Sequence, residues 1–202
     1  MDIKKISKVA IMGGTFDPIH NGHLIAAEAA REYFELDKVV FVPVGIPPHK
    51  DKNKITNGVH RYNMVFLATL SNSYFEVSDI ELRKNEICYT VDTIKDFRKI
   101  YPDAELFFIT GADAILDILN WKNTAELFEL CNWVAVTRPG YNKDVLDKLR
   151  TDLKKDNLYI LEIPALAISS TEIRDKVKKG QSIRYLVPEL VQIYIDKNNL
   201  YR

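Results

Sequence analysis

Two histidines follow a pair of glycines near the beginning of the sequence. They belong to the segment GGTFDPIHNGHL, which contains Gly13, Gly14, His20 and His23 and comes directly after an apolar run. Glycine lets a backbone pass close to a ligand where a Cβ would clash. On the first turn of a helix, a spacing of three residues puts both imidazoles on one face, beside backbone N–H groups that favour an anion. The segment therefore predicts a phosphate site with two imidazoles.

Simpler interpretations of the histidine pair stay open. Two surface histidines at a helix start need no functional explanation, and a zinc pair would need a third ligand that the neighbouring sequence lacks. Two other phosphate motifs are absent, since no G-x-G-x-x-G follows the first predicted strand and no G-x-x-x-x-G-K-[ST] occurs in the sequence. A dinucleotide oxidoreductase and a P-loop nucleoside triphosphatase both lose their main support.

A second anion site is predicted further along the chain, in the segment ISSTEIR. Ser169 and Glu172 have the spacing of a capping box, so a helix is predicted to begin there. Arg174 lies within the first two turns, and helical side chains lean toward the N-terminus, which brings its guanidinium within reach of phosphate oxygens bound at the helix start. The alternative is a solvated arginine on an amphipathic helix.

One long irregular segment, VGIPPHKDKNKITN, begins at Val44 and ends at Asn57. Its pair of prolines does not fit a helix interior, and charged residues, among them Lys50, follow directly. The segment is either a solvated loop or a mobile lid that carries cations such as Lys50 to bound phosphates.

Strands and helices alternate in the predicted pattern. Strands are predicted from β-branched and aromatic runs that start at Lys8, Lys38, Tyr74, Glu105, Trp133 and Leu158. Helices are predicted to start near Asn21, Val59, Val91, Ala112, Thr124, Lys143 and Ser169, with a last one from Pro188 to about Asn198. Strands separated by helices imply right-handed crossovers and a largely parallel sheet. We therefore expect a doubly wound α/β fold with helices on both faces of the sheet, as a single domain over 1–202.

The composition is that of a globular protein without a surplus of charge. The chain has 202 residues, with 28 Lys and Arg against 28 Asp and Glu, so its formal net charge is zero. Nucleic-acid binders and polybasic membrane binders carry a surplus of one sign, so neither kind of partner is expected. The first apolar stretch is too short for a secretory signal, and two distant cysteines suggest neither a zinc site nor a disulfide. A reducing cytoplasm is the expected location.

Six ordered motifs resemble those of one enzyme family. Beside the two segments already described, the sequence contains PPHK, YTVDT, GADA with a downstream tryptophan, and RPG. The segment GGTFDPIHNGHL is similar to the signature of nucleotidyltransferases that carry a His-x-Gly-His motif on a Rossmann-like sheet. The full set, in this order, resembles bacterial nicotinate-nucleotide adenylyltransferase. The resemblance implies adenylyl transfer from ATP to nicotinate mononucleotide, which gives deamido-NAD and pyrophosphate in NAD biosynthesis.

The resemblance also implies which residues form the site. For ATP these are Gly13, Gly14, Thr15, Phe16, His20, His23, Gly111, Asp113, Ile168, Ser169, Ser170 and Arg174. For nicotinate mononucleotide they are Lys50, Tyr89, Thr90, Asp113, Trp121 and Arg138. Thr90 is expected to cap the helix that starts at Val91, Trp121 to face the pyridine ring, and Asp113 to accept from ribose hydroxyls. A plain cap, a packed aromatic and a solvated turn are the alternatives, and the role of Arg138 is left open.

The charges involved suggest how such a site would work. The attacking 5′-phosphate has a second pKa of about 6 and is mostly a dianion at neutral pH, so no general base is required. His20 and His23 are expected near the α-phosphate, Arg174 on the β- and γ-phosphates, and Lys50 from the loop. Mg²⁺ is expected to arrive with ATP and to be held mostly by phosphates and water.

Three other functions compete with this one. Phosphopantetheine adenylyltransferase shares the His-x-Gly-His chemistry but is not expected to carry YTVDT with a downstream tryptophan. Class I aminoacyl-tRNA synthetases use a similar histidine pair, yet this chain is short and lacks a Lys-Met-Ser-Lys-Ser loop. A nucleotide-sensing module without turnover is a third alternative, and the intact His20, His23 and Arg174 count against it. The sequence leaves the oligomeric state open, a homo-oligomer included.

Overall fold

The computed structural model describes residues 5–47, 55–84, 86–118, 121–137, 143–153, 156–164 and 167–202. Its strands are β1 (Lys8–Gly14), β2 (Lys38–Pro43), β3 (Phe75–Val77), β4 (Glu105–Gly111), β5 (Asn132–Thr137) and β6 (Leu158–Glu162). Its helices are α1 (Asn21–Phe34), α2 (Gly58–Thr69), α3 (Thr90–Ile100), α4 (Ala112–Leu116), α5 (Thr124–Leu130), α6 (Lys143–Leu153), α7 (Ser170–Lys178) and α8 (Glu189–Lys197). None of the helices described here has the length and apolarity that crossing a membrane requires.

The six strands form one sheet in the order β3-β2-β1-β4-β5-β6. β1 pairs with β4, β4 with β5 and β5 with β6, each in parallel. The register places Ile11 opposite Phe108 and Ile109 opposite Val134. A parallel sheet whose strand order changes direction at its first strand is the doubly wound arrangement, so the predicted α/β fold is confirmed.

The described residues fall into two compact units. The first unit draws on Met1–Gly13, Ala26–Val40 and Tyr89–Ala165, and the second unit on Gly14–Ile25, Phe41–Cys88 and Leu166–Arg202. Each unit therefore consists of segments that are distant in sequence.

Trp133 is at the centre of the apolar core of the first unit. Its side chain is fully buried, and its ring centroid lies 4.8 Å from that of Phe108, 5.6 Å from that of Phe128 and 5.9 Å from that of Trp121. The indole Nε1 donates to the carbonyl of Leu127 at 3.1 Å, which satisfies the polar atom of the ring. β4 and β5 are buried along most of their length, as expected for strands covered on both faces.

The second unit packs α2 against α8. The hydroxyl of Tyr194 on α8 lies 2.9 Å from His60 Nδ1 and accepts from Asn63 Nδ2 at 3.0 Å. Met64, on the same helix as His60, is fully buried, and so is Phe41 on β2. The second unit therefore contains an apolar core and, beside it, polar side-chain contacts between α2 and α8.

Most predicted elements are confirmed close to their boundaries. α1, α4, α5 and α6 begin at the predicted residues, and α2, α3 and α7 begin within one residue of them. The predicted strand from Tyr74 is shorter, since β3 covers only Phe75–Val77. Tyr74 N–H donates to the side chain of Asn72 at 2.9 Å, so this residue belongs to the turn before the strand.

Each unit contains one buried thiol. Cys131 in the first unit and Cys88 in the second are each 6% exposed, and both are free of disulfides. Burial raises the pKa of Cys131 to about 12 and also raises the pKa of Cys88. Both thiols therefore stay protonated at neutral pH.

Candidate active site

The turn between β1 and α1 is buried along most of its length. β1 ends at Gly14, α1 begins at Asn21, and residues 16–20 between them are all buried. Phe16 has a φ of 49°, in the left-handed region, and the Asp17–Pro18 peptide is cis. A Cβ at Gly14 would lie 2.9 Å from the Phe16 ring. The packing of the turn itself therefore requires glycine there, in addition to any approach of a ligand.

His20 and His23 stack on each other, as their spacing predicts. Their ring centroids are 3.7 Å apart and the rings are inclined by 26°. His20 precedes α1, and its carbonyl accepts from the His23 N–H at 2.9 Å, so His20 occupies the N-cap position. The His20 N–H donates in return to His23 Nδ1 at 3.2 Å. His23 thus supplies one half of a capping box, in which the side chain of the third helical residue accepts from the N-cap N–H, with an imidazole as the acceptor.

This contact fixes the tautomer of His23. An accepting Nδ1 carries no proton, so the neutral ring of His23 is protonated at Nε2 and donates from there. Burial, together with the neighbouring His20, lowers the pKa of His23 well below its ordinary value. Burial also lowers the pKa of His20 to about 4, and its buried Nδ1 has no hydrogen-bond partner among the described residues. At pH 7 the turn therefore offers neutral donors rather than imidazolium charges.

The glycine of the His-x-Gly-His motif makes room for the first histidine. A Cβ at Gly22 would lie 3.1 Å from His20 Nδ1 and 3.2 Å from its Cε1. Real Cβ contacts are rarely so short, so a side chain at this position would press on the imidazole. Gly22 therefore positions His20, a role for which sequence reasoning gave no prediction.

α7 begins at the predicted place. Ser169 is its N-cap, and the Oγ accepts from the Glu172 N–H at 3.1 Å, which confirms this side of the predicted capping box. Ile168, just before the cap, is half-buried. The first N–H groups of this nine-residue helix carry a partial positive charge that suits a phosphate.

Two side chains of α7 donate to the histidine turn, which comprises residues 15–20 between β1 and α1. Ser170 Oγ donates to the carbonyl of Pro18 at 2.8 Å, and Arg174 Nη1 donates to the carbonyl of Asp17 at 2.8 Å. Arg174 Nη2 also donates to Thr171 Oγ1 at 3.3 Å. The structure therefore brings the His-x-Gly-His motif and the start of α7 together within the second unit.

Asp17 is a buried carboxylate in the middle of the turn. It is 4% exposed, and its Oδ1 accepts from the Tyr201 hydroxyl at 2.7 Å while its Oδ2 accepts from the Thr56 N–H at 3.2 Å. Burial and the charge of Asp17 raise the pKa of Tyr201 well above its ordinary value, so the phenol stays a donor. Sequence reasoning missed this contact because the two residues are 184 positions apart.

Arg61 was also missed from the sequence. Its side chain is 2% exposed and donates to the carbonyls of Thr15 and Thr56 at 2.9 Å each and to that of Val44 at 2.7 Å. Burial lowers the pKa of Arg61, while the charge of Asp17 acts in the opposite direction. A signal existed, because Arg61 shares the buried face of α2 with Met64, Val65 and Ala68. An arginine at helical spacing within an apolar stripe is a candidate for burial of at least its aliphatic stem.

The first unit carries the described residues that are predicted for the acceptor, which are Tyr89, Thr90, Asp113 and Trp121. Tyr89 has extended backbone angles, φ −109° and ψ 142°, and its carbonyl accepts from the N–H of Asp92 at 3.0 Å and of Thr93 at 3.2 Å. Tyr89 is therefore the N-cap of α3, and Thr90 is the first helical residue. The prediction that Thr90 caps this helix is wrong, because the cap is the extended residue that accepts the first helical bond.

Trp121 packs on the core of the first unit, and the next residue, Lys122, lies close to the start of α3. Trp121 is half-buried and packs edge-on against Trp133, with an interplanar angle of 70°. Lys122 Nζ lies 4.2 Å from the Tyr89 ring centroid and 3.7 Å from the carboxylate of Asp92. Sequence reasoning did not name Lys122, which adds a cation near the start of α3.

Of the predicted residues not yet placed, Gly13, Gly111 and Asp113 are described by the structure and two are not. Gly111 is the N-cap of α4, and Asp113 is exposed in the first turn of that helix. A Cβ at Gly13 would lie 3.1 Å from an aromatic ring of β4. Lys50 and Arg138 lie outside the described residues.

Comparison with known proteins identifies the family. The cytidylyltransferase-like family model matches residues 11–176. A probable nicotinate-nucleotide adenylyltransferase of a Thermoanaerobacter species is 53% identical over 199 residues, which cover 96% of this chain and 94% of the relative. The chain belongs to the cytidylyltransferase-like family and, within it, to the nicotinate-nucleotide adenylyltransferases. A second probable member, from Moorella thermoacetica, is 50% identical over 204 residues, covering 99% of this chain and 94% of the relative.

Solved structures of nicotinate-nucleotide adenylyltransferases share the fold. The Plasmodium falciparum nicotinic acid mononucleotide adenylyltransferase complexed with NaAD has a TM-score of 0.79 and 26% identity, covering 96% of this chain and 97% of that one. The structure of the same enzyme complexed with APC has a TM-score of 0.77 and 25% identity, with the same coverage. The family resemblance that the six motifs predict is confirmed.

Proposed function

We infer that this protein transfers the adenylyl group of ATP to nicotinate mononucleotide, giving deamido-NAD and pyrophosphate in NAD biosynthesis. The observation that carries this conclusion is the 53% identity over 96% of the chain with a relative of that name. The stacked, neutral histidines support it, since such a pair suits phosphate chemistry.

The histidines act as donors to the phosphate under attack. The nucleophile is already a dianion, so the barrier lies in bringing two anions together and in stabilising the charge that moves onto pyrophosphate. His23 donates from Nε2, because its Nδ1 is engaged by the His20 N–H. A neutral donor of fixed orientation stabilises that charge without changing its own protonation, and a single such donor contributes about 100-fold or more in rate.

Arg174 is proposed to bind the departing phosphates. Its contacts with Asp17 and Thr171 use two of the five N–H groups that a guanidinium has. These contacts hold the plane of the side chain at the start of α7, so less rotamer freedom is lost when phosphate binds. The β- and γ-phosphates would then meet both the guanidinium and the N–H groups of the helix.

The residues proposed to bind ATP come from three of the motifs, GGTFDPIHNGHL, GADA and ISSTEIR. It consists of Gly13, Gly14, Thr15, Phe16, His20, His23, Gly111, Asp113, Ile168, Ser169, Ser170 and Arg174, with Lys50 as a further catalytic cation. The exposed carboxylate of Asp113 suits ribose hydroxyls, which are donors.

Mg²⁺ is proposed to enter as part of the substrate, bound to ATP. The described residues contain no group of three or more His, Cys, Asp or Glu side chains placed to hold a metal ion. Both oxygens of the buried Asp17 already accept hydrogen bonds. Mg²⁺ commonly keeps several waters and binds substrate phosphates, and there it would neutralise part of the phosphate charge.

The acceptor site is proposed at the start of α3. It consists of Lys50, Tyr89, Thr90, Asp113, Trp121 and Arg138. The N–H groups of the first turn of α3 would donate to the carboxylate of nicotinate. The half-buried Trp121, held edge-on by the core, offers its indole face to the pyridine ring.

We propose that residues 1–202 work as a single nucleotidyltransferase domain in the cytoplasm. A formal net charge of zero supports small-molecule substrates rather than nucleic acid or membrane as partners. Self-association into a homo-oligomer is compatible with this function.

One assay tests the reaction directly. The protein is incubated with ATP and Mg²⁺ and with either nicotinate mononucleotide or nicotinamide mononucleotide, and the dinucleotide is identified by mass. We expect deamido-NAD with equimolar pyrophosphate. A parallel incubation contains phosphopantetheine as the acceptor. Formation of dephospho-coenzyme A there with no deamido-NAD from nicotinate mononucleotide, or nucleotide binding without turnover, would overturn the proposed function.

A further inference from the structure

The backbone of the histidine turn is held by side chains that do not belong to it. Arg61 donates to the carbonyl of Thr15, Arg174 to that of Asp17, and Ser170 to that of Pro18. These donors come from α2 and α7. The path of the turn is therefore set by tertiary hydrogen bonds rather than by local propensity.

Both the backbone carbonyl and the side-chain carboxylate of Asp17 accept hydrogen bonds. Its carbonyl accepts from Arg174 at 2.8 Å, and its carboxylate accepts from Tyr201 at 2.7 Å and from Thr56 at 3.2 Å. A carboxylate that is 4% exposed must keep its donors, because leaving one of its oxygens unpaired is unfavourable. If the carboxylate of Asp17 lost one of these donors, it would shift toward another one. That shift would also displace the carbonyl of Asp17 and the guanidinium of Arg174 that donates to it.

Tyr201 is a donor of fixed charge and fixed position. Burial and the neighbouring carboxylate keep its phenol protonated, as the raised pKa indicates. Its backbone is in the left-handed region, with a φ of 64°. Its hydroxyl also lies 3.9 Å from Met64 Sδ in the core of the second unit. The ring therefore has little freedom to follow Asp17.

We propose that Tyr201 is a positioning residue for adenylyl transfer, whose hydroxyl holds Asp17 so that Arg174 and the stacked histidines keep their catalytic placement. The proposal rests on the function inferred above and adds a residue that touches neither substrate. It predicts a loss of turnover without an equal loss of acceptor affinity, because a displacement of about 1 Å in catalytic groups costs up to about 100-fold in rate.

The chain offers a matched control for the test. Tyr194 is another tyrosine of the second unit whose hydroxyl has two side-chain partners, His60 and Asn63, and neither belongs to the histidine turn. Tyr201→Phe and Tyr194→Phe each delete one hydroxyl and keep the ring. We expect Tyr201→Phe to lower kcat about tenfold or more with KM for nicotinate mononucleotide changed less than about twofold, while Tyr194→Phe stays within about twofold in both.

A kinetic result can also overturn the proposal. If Tyr201→Phe retains kcat within about twofold, or if both variants lose kcat in proportion to their loss of melting temperature, Tyr201 is only a structural residue. Turnover by the unmodified protein in the same assay tests the proposed function separately.

Imidazole resonances measured by NMR test the positioning without any substrate. Tyr201→Phe should shift the resonances of His20 and His23 and leave that of His60 in place. Tyr194→Phe should do the reverse, since Tyr194 contacts His60. Unchanged resonances of His20 and His23 in Tyr201→Phe would overturn the positioning role, whether or not the protein adenylylates nicotinate mononucleotide.

Discussion

His23 has two roles that belong to different atoms of one ring. Its Nδ1 accepts from the His20 N–H at 3.2 Å and closes the start of α1. Its Nε2 carries the proton proposed to reach the α-phosphate. A substitution that keeps an acceptor near the position of Nδ1 and removes the donor at Nε2 can therefore separate helix capping from catalysis.

Replacing His23 with alanine removes both roles. We expect kcat to fall about 100-fold or more, the scale of one preorganised donor, with a much smaller change in KM. His23→Asn keeps a short acceptor but has no group at the Nε2 position, so it should lose as much kcat and less stability. Steady-state kinetics and urea unfolding measure the two effects, and near-normal turnover in His23→Ala would refute the donor assignment.

The pH dependence of turnover reports the charge of the pair. Because the pKa of His20 is lowered to about 4 and that of His23 is lowered as well, both rings are already neutral at pH 6.5. With saturating substrates we expect kcat to stay level between about pH 6.5 and pH 8.5, where no imidazolium is being lost. A decrease of kcat as the pH rises through this range would show that a protonated histidine is needed.

At the scale of elements, the start of α1 depends on the absence of a Cβ at Gly22. Gly22→Ala would place a Cβ 3.1 Å from His20 Nδ1, and we expect kcat to fall about tenfold as the imidazole is displaced. Alanine is a better helix former than glycine by about 1 kcal/mol, so the free energy of unfolding should not fall in parallel. Kinetics combined with thermal unfolding separates the two, and unchanged kcat would contradict the positioning of His20 by Gly22.

The start of α3 should select an acid over an amide. A nicotinate carboxylate can accept from every free N–H of the first helical turn, whereas an amide also presents donors to donors. Unpaired buried groups cost about 1–3 kcal/mol each, so we expect kcat/KM to favour nicotinate mononucleotide over its amide by roughly 100-fold. Trp121→Ala should weaken both acceptors and keep most of this ratio, because stacking does not distinguish the carboxylate. Equal kcat/KM for the two acceptors would refute the selectivity.

At the scale of the whole molecule, local signals predict the elements and part of the site. Caps, glycines and prolines mark helix starts to within about one residue, and the spacing of His20 and His23 is enough to place their rings together. The prediction that Thr90 is the N-cap of α3 is wrong because the extended backbone angles of Tyr89 decide which residue is the N-cap, whatever the capping preference of the next side chain. The contact of Tyr201 with Asp17 has no local signal, since sequence periodicity carries no information on pairs so far apart.

Because both thiols are buried, their alkylation measures the unfolding of the unit that contains each of them. Only a thiolate reacts with iodoacetamide, so Cys88 and Cys131, both buried and with raised pKa values, should be labelled more than about 100-fold more slowly than a thiol in an unfolded peptide. Since one thiol belongs to each unit, mass spectrometry of each cysteine peptide across a urea series yields two independent midpoints. A single domain over 1–202 should expose both at one urea concentration, and two separated midpoints would mean that the less stable unit opens while the other remains folded.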